Sequence, residues 1–164
     1  MFARHFIDSL EFARHGREIQ GVAPLAEMPR LQDMLAAPGG EISYVVRGLP
    51  DWSGKPTLEV AVQGVCKLRC QRCLEALDYP ISLVSHLMLA PSEELDEFAD
   101  EESEEADSIA ADSHLDVLNM VEDEILLSLP FAPRHPEGAC KQAVAGLNPQ
   151  QANPFAVLAG LKKS

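Results

Sequence analysis

The chain of 164 residues has few aromatic side chains and no long apolar run. Aromatic residues make up 5% of it, so we expect a core built mostly from aliphatic side chains. No apolar segment approaches the roughly 20 residues that span a bilayer. The N-terminal segment MFARHFIDSLEFARHGREI mixes acidic and basic side chains without a continuous apolar centre. That pattern predicts that this segment is not a secretory signal.

Positive charge is missing from a long stretch of the chain. Between Cys73 and Pro133 there is no Lys or Arg, but there are seventeen acidic residues. The remainder carries thirteen basic and nine acidic residues, a balance of +4, although the whole chain has a net charge of −13. Nucleic-acid affinity depends on neutralising phosphates, which a uniformly acidic protein does poorly. This segregated charge is compatible with a modest RNA-facing patch on the basic part.

Motifs that signal catalysis are also missing. The chain has no H-E-x-x-H motif for a catalytic metal and no glycine-rich loop with the spacing of a phosphate cradle. An open zinc site would need a general base beside it. The two glutamates nearest to such a role, Glu122 and Glu124, are interpreted as the solvent face of a helix. We therefore predict that the protein is not an enzyme.

Cysteines are few, but their positions suggest a metal site. Three of the four lie in Cys66-Lys-Leu-Arg-Cys-Gln-Arg-Cys73, and Cys140 follows His135 by five residues. The C-x-x-C pair Cys70 and Cys73, together with His135 and Cys140, would complete a Cys3His tetrahedron for one structural zinc. About sixty residues separate the two halves, so reduced thiols without metal remain an alternative. Cys66 is either a small buried hydrophobe or an alternative ligand.

Alternating apolar side chains predict three strands. They cover Glu41 to Leu49, Thr57 to Leu68 and Leu77 to Leu89, with a turn from Pro50 to Pro56 between the first two. The C-x-x-C pair Cys70 and Cys73, called the cysteine knuckle below, falls between the second and third strands, where a tight hairpin turn is expected. The sheet is therefore predicted to be antiparallel.

Three- and four-residue spacing predicts helices that cover this sheet, which makes the fold class α+β. The first begins at Ser9 as N-cap and continues to about Gln20. A short helix is expected after Pro29. The clearest helix covers His114 to Leu129, with Ser113 as its N-cap.

An acidic segment interrupts this domain, which we predict to cover residues 1–140. Residues 93–107 hold ten acids in fifteen positions and no base, so a mobile, disordered loop is expected over residues 92–112. Two interpretations are open for it. It is either a solvated linker, or an acidic arm that mimics RNA phosphate or shields a basic ribosomal protein.

The end of the sequence is predicted to be a linker followed by a short helix, over residues 141–164. Asn153 and Pro154 are a suitable N-cap and first-turn residue. Phe155, Leu158 and Leu161 then form one apolar face. This face either docks on the same domain or binds a partner.

Three blocks of this sequence together resemble the bacterial YceD family. They are Arg69-Cys-Gln-Arg-Cys-Leu74, the run VEDEILLSLPFAPRHPEGAC from Val121 to Cys140, and the tail NPFAVLAGLKK from Asn153 to Lys163. Their order and spacing match the family pattern over nearly the whole chain. The four proposed zinc ligands fall on positions of that pattern, whereas Cys66 departs from it.

The resemblance implies a cytoplasmic ribosome-biogenesis factor that acts in the synthesis, processing or stability of 23S ribosomal RNA. The expected partners are large-subunit RNA or its precursor, and ribosomal or RNA-processing proteins. Two other functions are kept as alternatives: a protein-binding adaptor that uses the acidic loop and the C-terminal helix, and a thiol redox sensor. The residues proposed to contact RNA are the cations around the cysteines, namely Lys67, Arg69, Arg72, Arg134 and Lys141.

Overall fold

The computed structural model describes residues 4–52, 54–93 and 106–140. Within them, a five-stranded sheet, a two-stranded sheet and two α-helices pack together, and neither helix has the length and apolar character needed to cross a membrane. The elements in chain order are β1 (Phe6–Ile7), α1 (Ser9–Arg14), β2 (Glu18–Pro24), a 3₁₀ turn (Leu25–Glu27), β3 (Glu41–Trp52), β4 (Lys55–Arg69), β5 (Ala76–Ala90), β6 (Asp107–Ala110), β7 (Leu115–Asp116) and α2 (Val117–Ser128).

The main sheet has the strand order β2-β3-β4-β5-β6. Its first four strands are antiparallel neighbours. The sequence predicted this arrangement for β3, β4 and β5 and missed β2. The longest ladder joins β4 to β5 from the Thr57/Met88 pair to the Arg69/Ala76 pair. β3 and β4 extend further than predicted, to Trp52 and from Lys55, so the turn between them is tight and Gly54 takes φ +81° there.

One face of this sheet carries the core. The apolar positions predicted to share that face on β3 and β4 are each at most 2% exposed: Ile42, Tyr44, Val46, Leu58, Val60 and Val62. Cys66 continues the same row on β4 and is 1% exposed within the core. Alternate residues of a strand face opposite sides, so one face is buried and the other faces solvent.

The first helix is shorter than predicted, and its N-cap is Asp8, whose carboxylate accepts from the Glu11 N–H. Gly16 at φ +56° follows the helix. The last residues of the predicted helix, Glu18 to Gln20, instead begin β2, which pairs with β3. Helix α1 lies directly on β3 at Gly48, where a Cβ would be 2.3 Å from the Phe12 carbonyl oxygen.

The helix predicted after Pro29 does not form. Residues 29–34 make turns, and Leu35 forms an isolated bridge with Leu68. The N–H groups of Arg30 and Leu31 donate to the Glu122 carboxylate, at 2.7 and 3.1 Å. Local turn bonds, such as that from the Leu35 N–H to the Leu31 carbonyl, satisfy other backbone groups, so short turns and the contact with Glu122 take the place of a regular helix.

The long helix, α2, begins later than predicted. Asp116, not Ser113, is its N-cap and accepts from the N–H groups of Leu118 and Asn119. Leu115–Asp116 instead pairs with β1. The predicted apolar face is confirmed over the helix itself, since Leu118, Val121 and Ile125 are buried.

The predicted acidic loop of residues 92–112 is wrong at its C-terminal end. Asp107–Ala110 forms β6, which pairs with β5 in parallel and so departs from the expected antiparallel arrangement. Ser9 holds the next turn, because its N–H donates to the Asp112 carbonyl and its hydroxyl accepts from the Asp112 N–H. Residues 94–105 lie outside the described residues.

Two glutamates that the sequence placed on a solvent face are buried. Glu122 and Glu124 are 2% and 6% exposed, because Glu122 faces the loop before β3 and Glu124 faces β5 and β6. Glu122 accepts three hydrogen bonds, two from the N–H groups of Arg30 and Leu31 and one from the Arg30 side chain at 3.1 Å. The cation and the backbone donors around this carboxylate offset the free-energy cost of removing its charge from water.

Replacing Glu122 should therefore destabilise the protein strongly. Glu122→Ala takes the carboxylate acceptor from the Arg30 N–H and removes one of several partners from the Leu31 N–H and the Arg30 guanidinium, so urea unfolding should show a loss of about 2–4 kcal/mol. Asp123→Ala is the matched control, because Asp123 is on the same helix and pairs with the same Arg30 but is half exposed. Its loss should stay below about 1 kcal/mol. Equal effects of the two substitutions would contradict this account of Glu122.

Candidate metal centre

The first half of the candidate site is the turn between β4 and β5. The ladder ends at Arg69, and the Cys70 N–H then donates to the Glu75 carbonyl at 2.9 Å. The Leu74 N–H donates back to the Cys70 carbonyl at 2.9 Å, with Leu74 in the left-handed region at φ +63°. This compact turn holds the C-x-x-C pair at the end of a rigid hairpin.

The second half arrives from the segment after α2. The Gln71 N–H donates to the Pro133 carbonyl at 2.8 Å, which joins this segment to the knuckle. A turn follows in which Ala139 N–H donates to Pro136 and Gly138 takes φ +79°, as expected for the bend between His135 and Cys140. The distant halves therefore meet.

The four predicted ligands form one cluster, in which the ligand atoms all lie within 4.8 Å of one another. The Sγ atoms of Cys70 and Cys140 are 3.8 Å apart, and His135 Nδ1 is 3.4 Å from Cys73 Sγ and 3.8 Å from Cys140 Sγ. A tetrahedral zinc site with ordinary bond lengths needs about 3.8 Å between two sulfurs and about 3.6 Å between sulfur and nitrogen. The donor set and its spacing therefore fit a metal ion of this type.

Polar groups around the cluster orient the ligands. His135 Nε2 lies 3.1 Å from the Ala76 carbonyl, to which an Nε2–H donates, so Nδ1 keeps a free lone pair facing the thiols. The Arg72 N–H donates to Cys70 Sγ at 3.4 Å. Both contacts come from the ends of the hairpin, so the hairpin positions the imidazole as well as the thiols.

The protonation of the thiols also favours metal binding. Burial raises the pKa of the Cys70 thiol, but hydrogen bonds from Cys73, His135 and Arg72 outweigh this effect and lower the pKa to about 5. Cys140 has a raised pKa because of burial and the neighbouring thiols Cys70 and Cys73. One thiolate is thus present at neutral pH, and a cation in the cluster would favour deprotonation of the others.

Cys66 is not part of this cluster. Its side chain belongs to the hydrophobic core, and burial raises the pKa of its thiol. Of the two interpretations left open by the sequence, the structure supports the small buried hydrophobe. All four cysteines are free thiols.

The cations predicted to contact RNA differ in their surroundings. Lys67 forms an ion pair with Asp78 at 2.7 Å. Arg69, Arg72 and Arg134 are exposed, and no carboxylate of the described residues lies within ion-pair distance of them. Lys141 lies beyond the described residues, as do the predicted partner-binding residues Phe155, Leu158 and Leu161.

The sequence analysis did not single out two exposed apolar side chains beside the cluster. Phe131 is 102% exposed and Leu74 is 68% exposed. Leu74 follows Cys73 directly, and Phe131 precedes Pro133, which contacts the knuckle. The sequence contains one signal for Phe131: it lies between Pro130 and Pro133, which disfavour a helix at this position.

Comparisons with known proteins agree on one family. The family model described as "Large ribosomal RNA subunit accumulation protein YceD" matches residues 58–162, which include both halves of the cluster. A curated protein of that same name from Haemophilus influenzae is 27% identical over 167 aligned positions, covering 96% of this chain and 94% of that protein. No solved structure matches the chain. Since the family model covers more than half of the sequence, the chain belongs to the YceD family.

Proposed function

We propose that the protein is a non-enzymatic ribosome-biogenesis factor that binds large-subunit ribosomal RNA or its precursor through the surface around the Cys3His cluster. The family description supports a ribosome-related role in general. The observation that carries the RNA-binding surface is the group of three exposed arginines that have no carboxylate partner in the described part of the chain, Arg69, Arg72 and Arg134. The hydrogen bond from Gln71 to Pro133 brings the segments of Arg72 and Arg134 together.

The electrostatics of this surface suit weak and adjustable RNA contact. Arginine presents a planar fork of donors that matches phosphate oxygens. With three to five cations, affinity for RNA should be modest and strongly dependent on salt. The fully exposed Phe131 adds a ring on which an unpaired base can stack.

A bound zinc ion would act as a structural clip in this proposal. Cys70, Cys73, His135 and Cys140 would hold it, and its chemistry there is to join the hairpin to the segment after α2. The residues themselves present the cations: Arg69 ends β4, Arg72 lies between two ligands, and Arg134 precedes His135. Loss of the clip should therefore weaken RNA binding together with stability.

Metal content tests the clip directly. Purified protein should contain about one zinc per chain, and Cys73→Ser should remove most of it and lower the melting temperature by at least about 5 °C. Cys66→Ser is the matched control, because it removes a buried thiol outside the cluster and should leave the zinc content unchanged. Fully folded wild-type protein with four titratable thiols and no metal would rule out the clip.

Charge reversal tests the RNA surface. Arg69→Glu/Arg72→Glu should abolish cross-linking of the tagged protein to large-subunit RNA after ultraviolet irradiation of cells. For a purified RNA fragment it should reduce the salt slope, log Kd against log salt, by about 1.4. The matched control is Arg14→Glu/Arg17→Glu, which changes the net charge equally at two exposed positions, one at the end of α1 and one just before β2. Both variants should keep the metal content and melting temperature of the wild type.

The stacking role of Phe131 can be tested separately. Phe131→Ala should weaken binding to single-stranded RNA at least about fivefold, because stacking on one base contributes about 1–3 kcal/mol. Stability should not change, since the ring is fully exposed. Val84→Ala, at an exposed apolar position on the open sheet face, should leave RNA binding unaltered.

The two alternatives predict other outcomes of these experiments. An adaptor would show no RNA above background in wild-type cells, with ribosomal or RNA-processing proteins enriched in the same lysate. A thiol sensor would lose function on Cys70→Ser without any loss of metal. The cytoplasmic location and the absence of catalysis stay predictions.

A further inference from the structure

A groove runs between β6 and α2, at the far edge of the main sheet from β2. Its volume is about 510 Å³, in the range of ligand-binding clefts. Apolar side chains from four elements line it: Leu87, Ile109, Leu115, Met120 and Leu127. Leu127 is 75% exposed at its rim, an unusual position for a leucine on a helix that is otherwise packed. The groove therefore offers an apolar surface that solvent reaches.

The same groove is acidic. Asp107, Asp112, Asp123 and Glu124 line it, and none of its lining residues is Lys or Arg. Arg30 pairs with Asp123 from outside the groove. Glu124 is 6% exposed, and this burial raises the pKa of its carboxyl group. A hydrogen bond from Ser85 opposes the rise, whereas the nearby carboxylates of Asp107 and Asp123 add to it. The groove thus lacks positive charge and is complementary to a cationic occupant.

One polar group in the groove lacks a partner. The Ser108 Oγ atom, on β6, is buried without any hydrogen-bond partner among the described residues. Buried hydroxyls are nearly always hydrogen-bonded. An occupant with a polar group near β6 would satisfy it.

The chain itself contains a segment with the complementary chemistry. The 24 residues after Cys140 include three lysines and no acidic residue. At helical spacing, Phe155, Leu158 and Leu161 share one face, and Lys162 and Lys163 follow directly. These residues lie beyond the described part of the chain, so the sequence alone supplies this pattern.

We propose that residues 153–163 bind in the groove between β6 and α2 of the same chain. In this arrangement the apolar face of Phe155, Leu158 and Leu161 covers the groove floor, and Lys162 and Lys163 lie opposite its carboxylates. Binding there covers the exposed side chain of Leu127. This inference is independent of RNA binding, because the cysteine cluster is formed by other elements.

The linker is long enough for this arrangement. Twelve residues separate Cys140 from Asn153, which span up to about 40 Å when extended. The groove rim at Leu127 is six residues before Pro133, which contacts the knuckle, so at most about 20 Å of extended chain separates the rim from the cluster that contains Cys140. Such a tether also provides an effective concentration in the millimolar range. Weak docking is therefore sufficient to keep the groove occupied.

Carbodiimide cross-linking of the full chain identifies the occupant. This reagent joins a lysine amine to a carboxylate in direct contact. We expect cross-linked peptides that join Lys162 or Lys163 to Asp107, Asp112 or Asp123. In an equal mixture of ¹⁴N- and ¹⁵N-labelled protein, each product should pair peptides of the same isotope. Mixed-isotope products would identify a second copy as the occupant and overturn binding within one chain.

Hydrogen exchange measured by mass spectrometry tests the apolar contact. Phe155→Asp should speed exchange of amides 107–110 at least about tenfold in the full chain. Ala156→Asp is its matched control, because it adds the same charge on the opposite side of the predicted helix, and it should change exchange less than twofold. Leu127→Arg in the groove should act like Phe155→Asp. Its control, Val84→Arg on the open sheet face, should not.

Two results would overturn the proposal. One is unchanged exchange of amides 107–110 in Phe155→Asp. The other is cross-linking of Lys162 and Lys163 only to residues 93–105, with none to the groove carboxylates. Neither result depends on RNA or metal content, so each is separable from a failure of the proposed function.

Discussion

The antiparallel ladder between β4 and β5 is the constraint on which the rest of the structure depends. Its continuous pairing from Thr57 to Arg69 fixes which side chains face the core, because a shift of the register by one residue would turn every inward side chain outward. The ladder also ends at the knuckle, so the sheet restricts the positions of Cys70 and Cys73. Even the His135 imidazole is oriented by a carbonyl of this ladder, that of Ala76.

Charge divides the molecule into two regions. The end of the hairpin carries exposed arginines that no described carboxylate neutralises, whereas β6 and α2 carry carboxylates in and around the groove. Two glutamates of α2 show how the surroundings decide the role of a buried acid. Glu122 is surrounded by donors and holds the loop before β3 in place. Glu124 lies beside other carboxylates, which raise its pKa.

The Cys3His cluster and the groove are each formed by segments that lie far apart along the chain. Cys70 and Cys140 meet although seventy positions separate them, and Ser9 holds the turn at Asp112. Such closures cost chain entropy that grows slowly with loop length, so a long insertion between them is tolerated.

The amino-acid sequence alone predicted the structural features that depend on the spacing of nearby residues. The two-residue period predicted the inward faces of β3 and β4, the C-x-x-C spacing predicted the knuckle, and the four metal-ligand candidates were identified before any contact was known. Periodicity failed where a distant partner competed with local preference. Residues 18–24 form a strand because they pair with β3, and the residues after Pro29 form short turns instead of a helix, with Leu35 bridged to Leu68 on β4. Only the tertiary structure decided that Glu122 and Glu124 are buried, that β6 is parallel to β5, and that His135 reaches the knuckle, because each depends on residues at least 17 positions away along the chain.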